Sequence, residues 1–217
     1  MNNAINPIDE IEFDIDDLAS AILDKVDAVD EFFFLRDLKQ RKLFLNGQID
    51  LLSSTPIVKQ IMQFNADDKN IPPENRKPIL LYLTSEGGLV DIGFELIDII
   101  RNSKTPVYTI NLGYWYSMGL LVGLAGHKRF ASANSKVLMH DGSTFVYNSG
   151  AKAQDQMRFQ AKTDERIKQY VMSRSKITSD DYDKQFRSEW YLFADEAKEM
   201  GFVDYIIGED CEIDEIV

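Results

Sequence analysis

Three β-rich runs, each followed by a helix-like stretch, most constrain how this chain can fold. KLFLNG (42–47) precedes TPIVKQIMQFNA, ILLYLTS (79–85) precedes LVDIGFELIDIIRN, and VYTINL (107–112) precedes SMGLLVGLAGH. Strands that alternate with helices of ten or more residues predict an α/β domain with largely parallel strand pairing. Two further strands, KVLMH (136–140) and FVDYIIG (202–208), complete the pattern. Such folds place ligands at the carboxyl ends of their strands.

A long polar segment, 151–174, separates the last two strands and has the length of a helix. Its apolar seam is thin and consists of Met157, Ala161, Ile167 and Val171. A helix this polar either projects from the domain to pack against another subunit or lies on the surface as an ordinary solvated helix. The clearest loop is 65–78, which holds three of the six prolines.

Acidic residues are concentrated at the two ends of the chain. The net charge is -12, of which residues 1–31 carry -9 and residues 209–217 carry -5, so the body is close to +2. In the first segment, apolar residues recur at helical spacing behind Asp16 and Asp17, at Leu18, Ile22, Val26 and Val29. We therefore expect an acidic, helical N-terminal extension (1–31), a body (32–208) and an acidic C-terminal tail (209–217). The two ends are either solubilising tails or docking segments for a partner.

Composition also limits the class of protein. The body has no concentrated cationic face of the kind that binds phosphates, so we expect no nucleic-acid partner. The longest run of apolar and glycine residues, 119–126, is far too short to cross a membrane. Cys211 is the single cysteine, and no charged-then-apolar leader opens the chain. Both features favour a reducing, cytoplasmic setting.

The chain has only two histidines, His127 and His140, so any serine activated by an imidazole must use one of them. His127 lies beside Lys128 and Arg129, a setting that disfavours a protonated imidazole. His140 ends the run KVLM, which places it at the carboxyl edge of a strand. By itself, a histidine at a strand end can equally well be structural.

Ser117 lies where VYTINLGYWY gives way to MGLLVG, at the beginning of a predicted helix. A helix N-terminus offers unpaired backbone N–H groups that can stabilise an oxyanion, and that of Met118 is the first of these. The alternative is a serine that only caps its helix. Because Trp115 stands two residues before Ser117, the stretch fails the G-x-S-x-G pattern, and an α/β-hydrolase is disfavoured.

Paired glycines, Gly87 and Gly88, follow the second strand in TSEGGLVD. They can present backbone N–H groups to a bound carbonyl, or they can simply allow a tight strand-to-helix turn. The pair fits neither G-x-G-x-x-G nor a P-loop, and no cluster has metal-ligand spacing. We therefore expect no nucleotide, metal or other cofactor.

Five stretches taken in order resemble the proteolytic subunit of Clp protease: LFLNGQID, LYLTSEGG, NLGYWYSMGLLVGLAG, KRFASANSKVLMH and WYLFADEAKEMGFVDYII. The resemblance covers about residues 40–208. It implies a serine endopeptidase on a crotonase-like α/β fold of repeated ββα units, with a protruding handle helix at 151–174. Subunits of that family stack as two seven-membered rings around a chamber that an ATP-dependent unfoldase feeds with unfolded polypeptide.

The resemblance also implies roles for particular residues. The nucleophile falls on Ser117, the general base on His140, and the oxyanion donors on the backbone N–H groups of Gly88 and Met118. The acidic member of the triad, an aspartate in the family, falls on Glu189; the nearby alternatives are Asp183 and Asp181.

Three features depart from the family pattern. Glu189 is one methylene longer than aspartate, although Ser-His-Glu triads exist. Glu86 replaces a proline in the glycine turn, where its charge weakens catalysis or raises the pKa of His140 unless the side chain points outward. Asp141-Gly142 replaces Gln-Pro, so the peptide groove differs in shape. The acidic extension lies where the family has axial pore loops, which puts docking to the usual unfoldase in question.

Two other functions remain open at this stage. The first is a catalytically idle Clp-like ring subunit that acts as a scaffold or regulator, which the three departures favour and the presence of both Ser117 and His140 disfavours. The second is an acyl-CoA enzyme of the wider crotonase-like fold. That enzyme needs a cationic pocket for the CoA phosphates, which is not evident in the sequence.

Overall fold

The computed structural model describes residues 28–142, 149–185 and 188–216. Two compact units make up the chain, one ending at Gln40 and the other beginning at Arg41. In the first unit, helix α1 (Ala28–Lys39) has acidic residues in its first turn and basic residues in its last, which complements the helix dipole. The helix predicted from Leu18, Ile22 and Val26 lies outside the described residues. The predicted domain boundaries remain predictions.

The second unit alternates strands with helices. Its strands are β1 (Lys42–Ile49), β2 (Ile79–Gly88), β3 (Val107–Tyr116), β4 (Lys128–Ser132), β5 (Lys136–Met139), β6 (Trp190–Phe193) and β7 (Tyr205–Ile207). Its helices are α2 (Leu51–Asp67), α3 (Val90–Asn102), α4 (Met118–Gly123), α5 (Gly150–Arg174), α6 (Ser179–Gln185) and α7 (Ala194–Glu199). Short 3₁₀ turns occupy Pro73–Asn75 and Ile213–Glu215.

The seven strands form one sheet in the order β1-β2-β3-β4-β7, with β5 added beside β3 and β6 beside β5. All pairs are parallel except β5 with β6. The first half of strand β2 is buried almost continuously, as expected of a central parallel strand, and helix α4 packs on β2 and β3. The predicted α/β class with largely parallel pairing is therefore confirmed.

Strand β3 pairs with two different strands along the same edge. Its first half, from Tyr108 to Asn111, pairs with β4, and its last three residues, Tyr114 to Tyr116, pair with β5. Asn111 is fully buried at the division, where its side-chain amide donates to the carbonyl of Lys136 and its oxygen accepts from the N–H of Gly113. This division places the carboxyl ends of β3 and β5 side by side.

Some boundaries differ from those predicted by the sequence. The predicted loop at 65–78 begins later, because α2 continues to Asp67. The predicted helix after β3 has only six residues, because the chain turns again after Gly123. Strands β4 and β6 and helices α6 and α7 were not predicted, since they are only four to seven residues long. The long polar helix is present as α5, with Tyr170 and Val171 buried near its carboxyl end.

A buried ion pair fastens the beginning of β1 to the end of α2. Asp68 is 2% exposed, and its two oxygens lie 2.6 Å from the two terminal guanidinium nitrogens of Arg41. The hydroxyl of Thr105, just before β3, donates to the same carboxylate at 2.9 Å. The hydrogen bonds from Arg41 hold the pKa of Asp68 below its usual value, against the opposing effect of burial.

We expect Asp68→Asn to lower the free energy of unfolding at pH 7 by about 3 kcal/mol, because it leaves Arg41 without its counter-ion. Since the pKa of Asp68 is depressed in the folded state, its stabilising contribution is present above the unfolded pKa of about 3.9 and is lost as the pH falls through the lower folded value. The difference between variant and wild type should therefore shrink below about pH 4. Urea unfolding at several pH values measures it.

Asp67→Asn is the matched control, because Asp67 is exposed and its neighbour on the chain is the buried residue. It should change the free energy of unfolding by less than about 0.5 kcal/mol. Equal losses in the two variants would show that the ion pair of Asp68 contributes nothing specific.

Candidate active site

Ser117 stands alone between the last residue of β3 and the first residue of α4. Its φ is 53° and its ψ is -121°, a left-handed backbone conformation that costs a non-glycine residue about 1–3 kcal/mol. Its side chain makes no capping hydrogen bond to the helix. The structure therefore does not support the alternative in which Ser117 only caps its helix. Strain of this kind is typical of residues placed for a functional purpose.

His140 directly follows β5, the strand beside Ser117. The backbone N–H of Ser117 donates to the carbonyl of Leu138 at 2.9 Å, and Tyr116 is the register partner of Leu138. Ser117 and His140 therefore both leave the sheet at the carboxyl edge of neighbouring parallel strands. The imidazole of His140 is half-buried, and Asp141 beside it is exposed.

His127 lies at the opposite end of β3. Its backbone N–H donates to the carbonyl of Val107 at 2.8 Å, and its Nδ1 lies 3.1 Å from the backbone nitrogen of Val107. Burial is the main cause that lowers the pKa of His127. The ten residues of β3 span about 30 Å, so His127 cannot reach Ser117. Of the two histidines, only His140 is near the candidate nucleophile.

Glu189 and His140 lie just beyond one end of the antiparallel ladder of β5 and β6. The last pair of that ladder is Met139 with Trp190, so continuing the register by one position would set Glu189 opposite His140. Directly opposite residues of an antiparallel pair have their Cβ atoms about 5 Å apart and on the same face. The carboxylate is exposed and accepts a hydrogen bond from the hydroxyl of Tyr191 at 3.1 Å.

The two alternative aspartates are occupied elsewhere. Asp181 accepts hydrogen bonds from the backbone N–H and the hydroxyl of Thr178, and the hydroxyl bond is the main cause that lowers its pKa. Asp183 pairs with Lys168 of α5 at 2.6 Å. Both aspartates lie on α6, whereas Glu189 immediately precedes β6, so of the three acids only Glu189 adjoins the ladder that β6 makes with β5.

The paired glycines approach the nucleophile from the neighbouring strand. A Cβ built on Gly87 would lie 2.8 Å from the Cβ of Ser117 and 3.0 Å from the backbone nitrogen of Met118. Gly87 has a φ of 103°, and its own N–H donates to the hydroxyl of Ser85. A Cβ on Gly88 would lie 2.2 Å from the carbonyl oxygen of Ile49. The turn therefore requires glycine at both positions for steric reasons.

Glu86 is exposed, so its charge faces solvent. A glutamate in the glycine turn is expected to leave catalysis undisturbed only if its side chain points outward, and Glu86 meets that condition.

Two buried residues that sequence reasoning missed support the turn. Trp115 is fully buried, and its indole N–H donates to the carbonyl of Leu83 at 2.9 Å. Trp115 is also the register partner of Ser85. Ser85 is fully buried, and its hydroxyl oxygen accepts a hydrogen bond from the N–H of Gly87. A tryptophan two residues before the candidate nucleophile was the available signal, because a buried indole needs a hydrogen-bond acceptor.

An α/β sheet whose strand-to-helix turn holds a strained, uncapped serine, with a histidine at the end of the next strand, is typical of a hydrolase with a serine nucleophile. Among the described residues, no group of three or more His, Cys, Asp or Glu side chains could hold a metal ion.

Comparison with known proteins gives the family. The family model of Clp protease matches residues 29–210. The chain is also 31% identical over 183 residues to the ATP-dependent Clp protease proteolytic subunit 2 of Treponema pallidum (strain Nichols), a match that covers 83% of this chain and 89% of the relative. The chain therefore belongs to the Clp protease family.

The sequence-based expectations of a Clp-type serine peptidase and of a crotonase-like α/β fold are confirmed by this membership. Among residues 28–142, 149–185 and 188–216, no helix is both long and apolar enough to cross a membrane.

Proposed function

We propose that the chain hydrolyses peptide bonds of unfolded polypeptides with Ser117 as nucleophile, His140 as general base and Glu189 as the acid behind His140. The observation that supports the proposal is the strand register, in which the N–H of Ser117 donates to the carbonyl of Leu138 and the ladder of β5 and β6 ends at Met139 with Trp190, the neighbours of His140 and Glu189. The backbone N–H groups of Gly88 and Met118 are the proposed oxyanion donors.

The reaction proceeds in two acyl-transfer steps. The hydroxyl oxygen of Ser117 bonds to the peptide carbonyl carbon while His140 accepts its proton, and the carbonyl oxygen becomes an oxyanion held by the two N–H groups. When the C–N bond breaks, His140 returns the proton to the leaving amine. Water then attacks the acyl-enzyme with His140 again as base, which releases the acid product and restores Ser117. The carboxylate of Glu189 stabilises the imidazolium in both steps.

Covalent labelling tests this proposal directly. A fluorophosphonate should label wild-type protein at Ser117, identified by mass spectrometry of the modified peptide, and Ser117→Ala should not label. Cleavage of an unfolded protein should be lost in the same variant. If the folded wild type neither labels nor cleaves, the proposal fails and the idle ring subunit becomes the better description.

We also propose that the chain acts as a ring-forming homo-oligomer that encloses a chamber and works with an ATP-dependent unfoldase. Family membership supports assembly, and the relative from Treponema pallidum is named as the proteolytic subunit of an ATP-dependent protease. The exposed apolar side chains Met157 and Phe159 on α5 supply surface for contact between copies. Native mass spectrometry should give a multiple of the 24.9 kDa chain. A monomer that is fully active would contradict the chamber. The cytoplasmic setting stays a prediction.

A further inference from the structure

The carboxylate of Glu189, the proposed acid of the triad, has a hydrogen-bond partner two residues along its own segment. The hydroxyl of Tyr191 donates to Oε2 of Glu189 at 3.1 Å. The two residues are two positions apart where the chain enters β6, a spacing that puts side chains of extended backbone on the same face. Tyr191 is half exposed, so this contact lies at the surface rather than in the core.

The ladder with β5 brings this pair to the candidate active site. Leu138 is the register partner of Tyr191, and Met139 is the register partner of Trp190. Continued by one position, this register would set Glu189 opposite His140, with Tyr191 one same-face position further along the ladder. One oxygen of the carboxylate accepts from the phenol, and the other keeps its acceptor capacity for an imidazole.

Tyr191 is itself fixed to the strand that carries Ser117. Its ring meets the ring of Tyr116 edge-on, with centroids 5.7 Å apart and an interplanar angle of 90°. Tyr116 immediately precedes Ser117, and its ring packs on that of Tyr114 at 4.8 Å. The side chain of Tyr191 is thus held at its ring by the contact with Tyr116 and at its hydroxyl by the carboxylate of Glu189.

A glutamate needs such a contact more than an aspartate does. Its extra methylene adds a rotatable bond, so an exposed glutamate has more side-chain conformations than an aspartate. Conformational entropy therefore favours those in which the carboxylate lies away from the imidazole. A hydrogen bond to one oxygen restricts those positions without using up the acceptor capacity of the group. The same hydrogen bond is the main cause that raises the pKa of Tyr191, so the hydroxyl stays protonated at neutral pH. Glu189 and Tyr116 are the titratable groups that act on it.

We propose that Tyr191 is a positioning residue that holds the carboxylate of Glu189 toward His140. This inference rests on the proposed function, since it assigns Tyr191 a role only if Glu189 serves His140.

The test is the rate at which a fluorophosphonate acylates Ser117 in Tyr191→Phe, measured across pH. We expect roughly tenfold slower acylation, less than the hundredfold that a 1 Å misplacement can cost, because the carboxylate remains present but less well placed. The imidazolium of His140 loses part of its stabilisation, and the pH profile of acylation changes with it. Tyr114→Phe, which removes a hydroxyl from the same aromatic group, should leave both the rate and the profile unchanged.

A second pair of variants separates positioning from a general structural effect. In a Glu189→Ala background, Tyr191→Phe should cause no further loss, because the group that it positions is gone. An undiminished loss in that background overturns the inference.

The outcomes distinguish this inference from the proposed function. If wild type labels but Tyr191→Phe labels at the same rate with the same pH profile, Tyr191 has no positioning role and the peptidase assignment stands. Faster labelling in Tyr191→Phe means that the phenol competes with His140 for the carboxylate, which also overturns the inference alone. Absence of labelling in wild type overturns the proposed function, and the role of Tyr191 falls with it.

Discussion

His140→Ala should slow acylation of Ser117 by about 10³-fold or more, whereas His127→Ala should leave it unchanged. A positioned general base contributes about 10²–10⁴-fold, and removing a base that acts with its nucleophile as a unit costs still more. The contrast follows from the sheet, because one histidine leaves it beside Ser117 and the other lies at the far end of β3. Rates of fluorophosphonate labelling for both variants provide the measurement.

The chain offers this control without further engineering, since these two are its only histidines. Thermal unfolding should accompany the rates, because His127 bonds to Val107 and its loss can lower stability without touching the site. The assignment of the base is wrong if His127→Ala, still folded, loses labelling while His140→Ala keeps it.

Gly87→Ala should reduce acylation by about 10²-fold or more in a chain that still folds. The added methyl group would lie 2.8 Å from the Cβ of Ser117 and 3.0 Å from the nitrogen of Met118, and neither atom is the end of a flexible side chain. The turn must therefore move by a few tenths of an ångström to an ångström, and a displacement of that size at the nucleophile costs about 10²-fold in rate. Labelling rates and near-ultraviolet circular dichroism would measure function and folding in the same samples.

Gly47→Ala is the matched control for backbone strain. Gly47 also has a positive φ, of 87°, but a Cβ there would meet nothing within 4 Å. Both variants carry the conformational cost of a left-handed alanine, and only Gly87→Ala adds the collision with Ser117. Equal losses of acylation in the two variants would contradict a close approach of this turn to the nucleophile.

The sequence predicted the main strands and the place of Ser117 because these depend on local pattern. Apolar runs bounded by turn residues marked β1, β2, β3 and β5, and the change from YWY to MGLL marked the turn at which Ser117 lies. Strand β6 has no such pattern, since its four residues alternate little and its partner is about fifty positions away. Short strands are specified mainly by the ladder that they join, which local sequence does not reveal.

The same distinction applies within the candidate site. Ser117 and His140 could be selected from the residues, because each follows an apolar run and the chain has few histidines. Glu189 depended on family resemblance, and the support from Ser85 and Trp115 was missed, because it requires knowing that β2 and β3 are neighbours. Contacts between strands that are distant in sequence cannot be predicted from local sequence patterns alone.

The division of β3 between two partners has a mechanical consequence. Strands β5 and β6 join the rest of the sheet through only three register pairs, Tyr114 to Tyr116 with Lys136 to Leu138. Local opening follows the weakest set of contacts. We therefore expect the ribbon that ends at the proposed base and acid to open locally before the ladders of β1, β2 and β4 do, at a cost below that of unfolding the core.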